Sequence, residues 1–468
     1  MNVRNSINFL SELQLEQIEN AAKRILSETG FNIQHKKILE DLDEQGWLVD
    51  KENERVRFQP DKIENFLDQR QPVDWSNLPP LKIQGGAYCS RVLMPDCDTV
   101  EMSTLENTIE LTRLGDYLDN IDVMIGMGIP SDVPVKTVPL WQYFIAWRHS
   151  QKTESNAGGI FYRECIPYME EMADILTIER GGRTQDHIIV NVELITPLTF
   201  GRHEADVYYD ATQRGIHAML MSIPGLGGTG PVTLAGALGL GIAETWICNI
   251  LSSMYTGQKF LYYMSSVAPT DMRKGFLRFG RPENALLHMA YGQLARKRKA
   301  FHHANCFLSD AQRPSVEAGF QKALTAIPAF LAGSTSTGSV GMLSIDEYNS
   351  PVQMILDNEF AGALKRMLKG FEIDEDTLAV DLMSDVGPGG NYLSEEHTAE
   401  HYRDEIWMPS IWTGNLDSGW KLDGKKLDVD LARELYGDVM KNYHPRGVSE
   451  KTEEELLRVI RRAEKELG

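Results

Sequence analysis

Five cysteines in 468 residues (Cys89, Cys97, Cys165, Cys248 and Cys306) are too few and too scattered for a disulfide framework or a Cys-x-x-Cys metal site. A reducing cytoplasm is therefore the simplest compartment. The chain also lacks a concentrated basic tract: 47 Lys and Arg face 67 Asp and Glu, for a net charge of -20. Without a cationic face to neutralise phosphates, no nucleic-acid partner is expected. The opening residues contain no apolar run that could act as a signal-peptide core. Only residues 231–251 stay apolar over the length of a membrane span. They include Glu244, Thr245, Asn249 and glycines suited to close helix packing, which predicts a buried helix in a soluble protein and no membrane partner. Low-complexity linkers are absent, and 42% apolar with 24% charged residues excludes wholesale disorder.

What is present reads first as local structure. Ser11 and Gln14 make a capping-box pattern, after which Leu15, Ile18, Ala22, Ile25 and Leu26 recur at helical spacing until Gly30. A further helix, a β-like run at 55–58 and a proline-bearing stretch at 72–80 complete a predicted N-terminal cap over 1–118. Beyond residue 120, short apolar runs alternate with longer helical segments, the mark of repeated βα units around a parallel sheet. Predicted strands cover 122–127, 155–161, 187–194, 216–221, 259–264, 303–308, 329–335 and 378–384. Eight strands favour closure, so the expected class is α/β, a (β/α)8 barrel over 119–412. Residues 413–468 form an extension ending in an amphipathic helix at 452–467, capped by Thr452 and Glu455. Its Leu456, Leu457, Ile460, Ala463 and Leu467 face either the barrel or a second copy in a homo-oligomer.

In such barrels the chemistry sits on loops at the C-terminal ends of the strands. Those loops here are glycine-rich, at 225–231, 265–271, 309–314, 333–341 and 386–391, and glycine lets a large ligand approach the backbone. Gly225, Gly227 and Gly230 satisfy GxGxxG, but the next predicted strand ends in Met264 and Ser265 where a dinucleotide site needs an acid. His397, Glu400 and His401 spell HxxEH, which places two imidazoles one turn apart on a helix, as a metal-dependent hydrolase requires. No third ligand is identifiable, and the surrounding Glu395, Glu396, Asp404 and Glu405 read as a solvated acidic face, so no metal is expected. Aromatic residues near loop ends, Phe161, Tyr162, Phe200 and Tyr262 among them, can cage a quaternary ammonium by cation–π attraction. Arg313, following a predicted strand on the loop that holds Ser309 and Asp310, can pair with a substrate carboxylate.

From about residue 225 to 412 the order of motifs resembles the trimethylamine methyltransferase superfamily, in particular its members without pyrrolysine. The matching segments are GGTGPVTLAGAL at 227–238, DMRKG at 271–275, GRPE at 280–283, SDAQ at 309–312, EAGFQKALTA at 317–326, LDNEFAG at 356–362, DTLAVDLMSDVGPGGNYLSEEHT at 376–398 and EIWMP at 405–409. The likeness reaches back more loosely through GGAYCSRVLMPD at 85–96. Glu317-Ala318-Gly319 stands where members often carry Gln-Ala-Gly, and GSVGML at 338–343 occupies the pyrrolysine region with ordinary residues.

The resemblance implies a barrel enzyme that moves one methyl group from an amine to the cobalt of a corrinoid on a separate protein. Glycine betaine is its first substrate, giving dimethylglycine, with proline betaine, carnitine and butyrobetaine as alternatives in the same frame. A metal-dependent hydrolase and a non-catalytic betaine-binding subunit are the competing classes. The expected substrate contacts are Phe161, Tyr162, Phe200, Tyr262, Ser309, Asp310, Arg313 and Met342. Gly227, Gly228, Thr229, Gly230, Gly387, Gly389 and Gly390 are expected to receive the partner's corrinoid, with none bound to this chain alone. No general acid is expected, because a quaternary nitrogen leaves as a neutral amine.

Overall fold

The structure, a computed structural model, describes residues 3–4, 6–86, 88–152, 162–412 and 414–468. Its centre is parallel strand. We number β1 Lys82–Gly85, β2 Ile189–Glu193, β3 His217–Met221, β4 Tyr262–Ser265, β5 Phe301–Ala304 and β6 Ser336–Val340. β4, β5, β6 and β1 form one four-stranded sheet, β2 and β3 a separate parallel pair, and Val123 bridges in parallel to Gln84 on β1. The fold is mixed α/β; among the described residues the ladders do not join into a closed barrel.

The helices used below are α1 Glu12–Arg24, α2 Leu234–Thr256, α3 Pro282–Lys297, α4 Val316–Leu331, α5 Pro351–Lys369, α6 Glu375–Leu378, α7 Glu396–Glu405 and α8 Glu450–Leu467. The Ser11–Gln14 capping box is formed, and α1 passes into a short π-turn that Gly30 ends at φ 79°. α2 is the apolar 231–251 stretch, and 83% of its most hydropathic window is buried inside the protein. Glu244 is tolerated there because its carboxylate accepts from the Leu198 N–H at 2.7 Å and the Thr196 hydroxyl at 3.1 Å. α8 starts two residues before its expected position, with Ser449 as the cap, and packs on the helix Ile166–Arg180.

Three expectations change. The 329–335 strand is the end of α4 and its turn; β6 begins only at Ser336, after Gly333. The 378–384 strand is helical and buries no side chain. Both are short apolar runs, which periodicity cannot divide between helix and strand. The stretch assigned to a separate cap supplies β1, paired with β6, so the expected boundary at 118 cuts through the sheet. Apolar packing crosses it as well: one cluster runs from Leu81 and Leu111 through Ile355 to Val439. The expected strand at 155–161 lies outside the described residues.

Helix packing around the sheet leaves a contrast between two glycines. A Cβ on Gly292 of α3 would stand 2.4 Å from the Ala332 carbonyl oxygen, whereas one on Gly319 of α4 would meet nothing within 4 Å. Gly292→Ala should therefore lower stability by about 1–3 kcal/mol through overpacking. Gly319→Ala should raise it by about 0.5–1 kcal/mol through helix propensity. Thermal melts of the two variants check the opposite signs.

Candidate active site

The parallel strands aim alternate side chains into one space. Lys82 and Gln84, Val123 and Ile125, Asn191 and Glu193, Met219 and Met221, Tyr262 and Met264, His303 and Asn305, and Ser336 with Gly338 all line a cavity of about 720 Å³. The period of two is that of a strand face. Ile83, Val190, Ala218, Tyr263 and His302, on the other face of these strands, are each 0% exposed, although Val192 and Thr337 also touch the cavity. Tyr88, Ile223, Ser266, Leu308, Met342 and Asp346, from segments that follow the strands, are also among the lining residues.

Three acids line the cavity, Glu193, Glu204 and Asp346, against one lysine, Lys82. Glu193, the last residue of β2, and Asp346 both face the cavity. Both side chains are exposed to the open space of the cavity, while its walls enclose them on the other sides. Burial pushes both carboxyls above the usual carboxylate range, and Asp346 adds to the rise at Glu193. Burial and the nearby Glu193 also raise the Tyr88 phenol. His303 does not offset the negative charge: burial pulls its pKa down to about 4, and its Nδ1 lies 2.8 Å from the Ser336 hydroxyl. The arrangement suits a cation in contact with aromatic and thioether surface.

The loop at 338–343 is held from behind. Lys322 Nζ on α4 donates to Asp357 Oδ2 on α5 at 2.6 Å, and the same oxygen accepts from the Gly341 N–H at 2.8 Å. Gly341, at φ 85°, turns the chain so that Met342 presses on Gly86, where a Cβ would stand 2.4 Å from its side chain. Ser339 completes the bracket by donating to Asn305 Oδ1 at 2.7 Å.

Of the residues singled out from sequence, Tyr262 and Met342 line the cavity, Tyr262 stacked on Phe301 with ring centroids 5.1 Å apart. Tyr162 stands one ring behind, edge-on to the lining residue His203 at 5.9 Å. Phe200 is core, fully buried and edge-on to Tyr208. Ser309 and Asp310 are structural brackets. Ser309 donates to Gln321 Oε1 at 2.8 Å, while Asp310 accepts from the Phe279 N–H at 3.0 Å and pairs with Arg281 at 3.0 Å. Arg313 spends its donors on the carbonyl oxygens of Gln312 at 2.7 Å and Asp98 at 2.9 Å, and does not line the cavity. Phe161 lies outside the described residues.

Gly227, Gly228, Thr229 and Gly230 form a tight turn above β3, closed by the Thr229 hydroxyl accepting from the Gly225 N–H at 2.9 Å. The exposed Val232 and Met272 stand beside that turn, next to Gly227. Gly387 and Gly389 have open space where a Cβ would be, and neither lines the cavity. Glu193, Asp346, Tyr88, Asn191 and Asn305 escaped the sequence reading. Glu193 had a usable signal, an acid at the end of a predicted strand; Asp346 was one of 67 acids with nothing to single it out.

The chain matches the family model described as trimethylamine methyltransferase over residues 1–468, and it belongs to that family of methyltransferases. It is 26% identical over 482 aligned positions to the glycine betaine methyltransferase of Desulfitobacterium hafniense (strain Y51), covering 98% of each chain. It is 24% identical over 483 positions to a trimethylamine methyltransferase of Methanosarcina barkeri (strain Fusaro), covering 98% of this chain and 96% of that one. Superposition on the crystal structure of the Methanosarcina barkeri monomethylamine methyltransferase gives a TM-score of 0.47 at 12% identity, over 91% of this chain and 92% of that one.

Proposed function

We propose that the protein transfers one methyl group from a quaternary amine to the Co(I) of a corrinoid held by a separate protein, and releases the tertiary amine. Glycine betaine is the first substrate, with proline betaine, carnitine and butyrobetaine the alternatives. The observation that carries this reading is the acid-lined end of the cavity, where Glu193 and Asp346 face the same space as Tyr88 and Tyr262. A permanent cation offsets the desolvation that raises both carboxyls, and rings and thioethers surround its methyl groups. The likeness to a glycine betaine methyltransferase over nearly the whole chain supports the substrate class.

In this reading the cavity walls orient the ammonium with one methyl group towards the C-terminal mouth, an arrangement that converts binding into proximity. A corrinoid carried by the partner would supply the nucleophile, and the turn at Gly227, Gly228, Thr229 and Gly230 would be the part of this chain that receives it. The carbon–nitrogen bond breaks with both electrons staying on nitrogen, so the leaving amine needs no proton from the chain. Once it is neutral, its attraction to Glu193 and Asp346 is lost, which favours release. The same proposal closes the parallel strands into a (β/α)8 barrel, with residues 119–412 extended to include β1, in a cytoplasmic enzyme.

The test is incubation with chemically reduced cobalamin and each methylated amine in turn, following methylcobalamin by absorbance. One methyl group per quaternary amine, with dimethylglycine and trimethylamine inert, is the expected result. Comparable rates on the tertiary amines would overturn the quaternary assignment. Tight betaine binding with no methyl transfer to cobalamin, alone or on a corrinoid protein, would make the chain a binding subunit.

A further inference from the structure

The cavity chemistry does not use the HxxEH pattern, and the fold adds what the sequence lacked, a third donor. Asp376 lies 21 positions before His397 and is brought against both histidines. One donor atom from each of Asp376, His397 and His401 lies within 4.8 Å of the other two. His401 Nε2 is 3.2 Å from Asp376 Oδ2, close to the edge of roughly 3.3 Å that bonds of about 2.0–2.1 Å give a tetrahedral site. The two imidazoles, one helical turn apart on α7, have centroids 4.3 Å from each other. His397 Nε2 stands 3.3 Å from the Asp376 carbonyl oxygen, so a small ring rotation brings a nitrogen to the same point.

A second observation concerns what holds this region in place. From residue 371 to 410 no residue is buried. α6, α7 and the helix Val380–Val386 between them bury no side chain, while Ile373, Val380 and Leu393 are 61%, 62% and 89% exposed. Ordering such a stretch costs backbone entropy that apolar burial does not offset here. A crosslink between α6 and α7 would offset it.

We propose that Asp376, His397 and His401 bind one Zn²⁺-class divalent cation, with a water as fourth ligand, and that the ion fastens α6 to α7. Two imidazoles and a carboxylate suit zinc and disfavour Mg²⁺ and Ca²⁺, which take oxygen ligands. The ion closes the loop that carries Gly387, Gly389 and Gly390. The site stands apart from the cavity lining, so its role is structural and does not depend on the substrate.

Full-length protein stripped with a chelator and titrated with Zn²⁺ should bind one ion per chain, and Co²⁺ in its place should give the intense visible bands of a tetrahedral site. H397A/H401A should weaken binding by about 100-fold or more, since losing even an outer-shell partner costs about 10–100-fold. Chymotryptic cleavage at the exposed Tyr392 and Leu393 should slow at least about tenfold when Zn²⁺ is added to the wild type. Asp376 is exposed and the two histidines are half-buried, outside the core, so the double variant keeps its far-UV circular dichroism. Equal Zn²⁺ affinity in wild type and H397A/H401A, or cleavage indifferent to Zn²⁺, overturns the proposal.

Discussion

Glu193→Gln and Asp346→Asn should each raise the KM for a quaternary amine about tenfold and leave kcat within a factor of a few. Coulomb's law gives roughly 3 kcal/mol for unit charges about 5 Å apart at an effective dielectric constant of 20. Water at the cavity mouth trims this towards about 1.4 kcal/mol, which is tenfold. The split between KM and kcat follows from where the charge goes. In the proposed reaction the substrate is cationic when bound and loses its charge as the carbon–nitrogen bond breaks, so the acids favour the ground state at least as much as the transition state. A raised kcat in either variant is consistent with this; an unchanged KM in E193Q/D346N would falsify the ammonium-binding role.

The same two groups set a pH dependence with a definite sign. Burial raises both carboxyls, so they protonate at a higher pH than ordinary carboxylates. Cation binding favours the ionised forms: affinity is complete above the raised pKa values and is lost as the pH falls through them. Wild-type KM should therefore climb on mild acidification, and the climb should flatten in E193Q/D346N. A profile that is identical in both would assign the titration to other groups.

Asp357→Ala should cost about 3–5 kcal/mol of stability, among the largest effects available to a single substitution in this chain. Lys322 and Asp357 have side chains only 1% and 2% exposed, with Nζ and Oδ2 2.6 Å apart. Burial drives each towards its neutral form, lowering the Lys322 pKa and raising that of Asp357, and the contact between them opposes it. Asp357 also accepts from the Gly341 N–H at 2.8 Å and from Gln353 Nε2 at 2.8 Å, so its loss strands three donors at once. Replacing both partners by apolar residues, K322M/D357L, should recover much of the loss, because the uncompensated charge is gone. Urea midpoints for the single and double variants form the cycle. A loss below about 1 kcal/mol in D357A would mean that water reaches Lys322, contrary to the burial argument.

The sequence by itself determined the parts of this protein that depend on neighbours in the chain. The capping box at Ser11, the apolar helix α2 and the cores of β2 and β3 follow from side-chain spacing and end signals within a dozen or so residues. The ordered motifs carried the family, because such segments record the whole fold without requiring that it be derived. β1 was missed because four residues, KIQG, are too few to show a period, and its pairing with β6 comes from 254 positions away, Lys82 to Ser336.

The tertiary structure alone decided the site. Arg313 was expected to pair with a substrate carboxylate because it follows a predicted strand, but one of the carbonyls it donates to, that of Asp98, is 215 residues distant, and nothing local announces that partner. Phe200 and Tyr262 look alike as loop-end aromatics; one is buried against Tyr208 and the other lines the cavity. Which of 67 acids becomes desolvated is a property of the cavity wall. A residue's chemistry is written in its side chain, but its pKa and its free valences are set by whatever the fold packs against it. For Glu193, Asp346 and the Asp376–His397–His401 group, those neighbours come from separate elements.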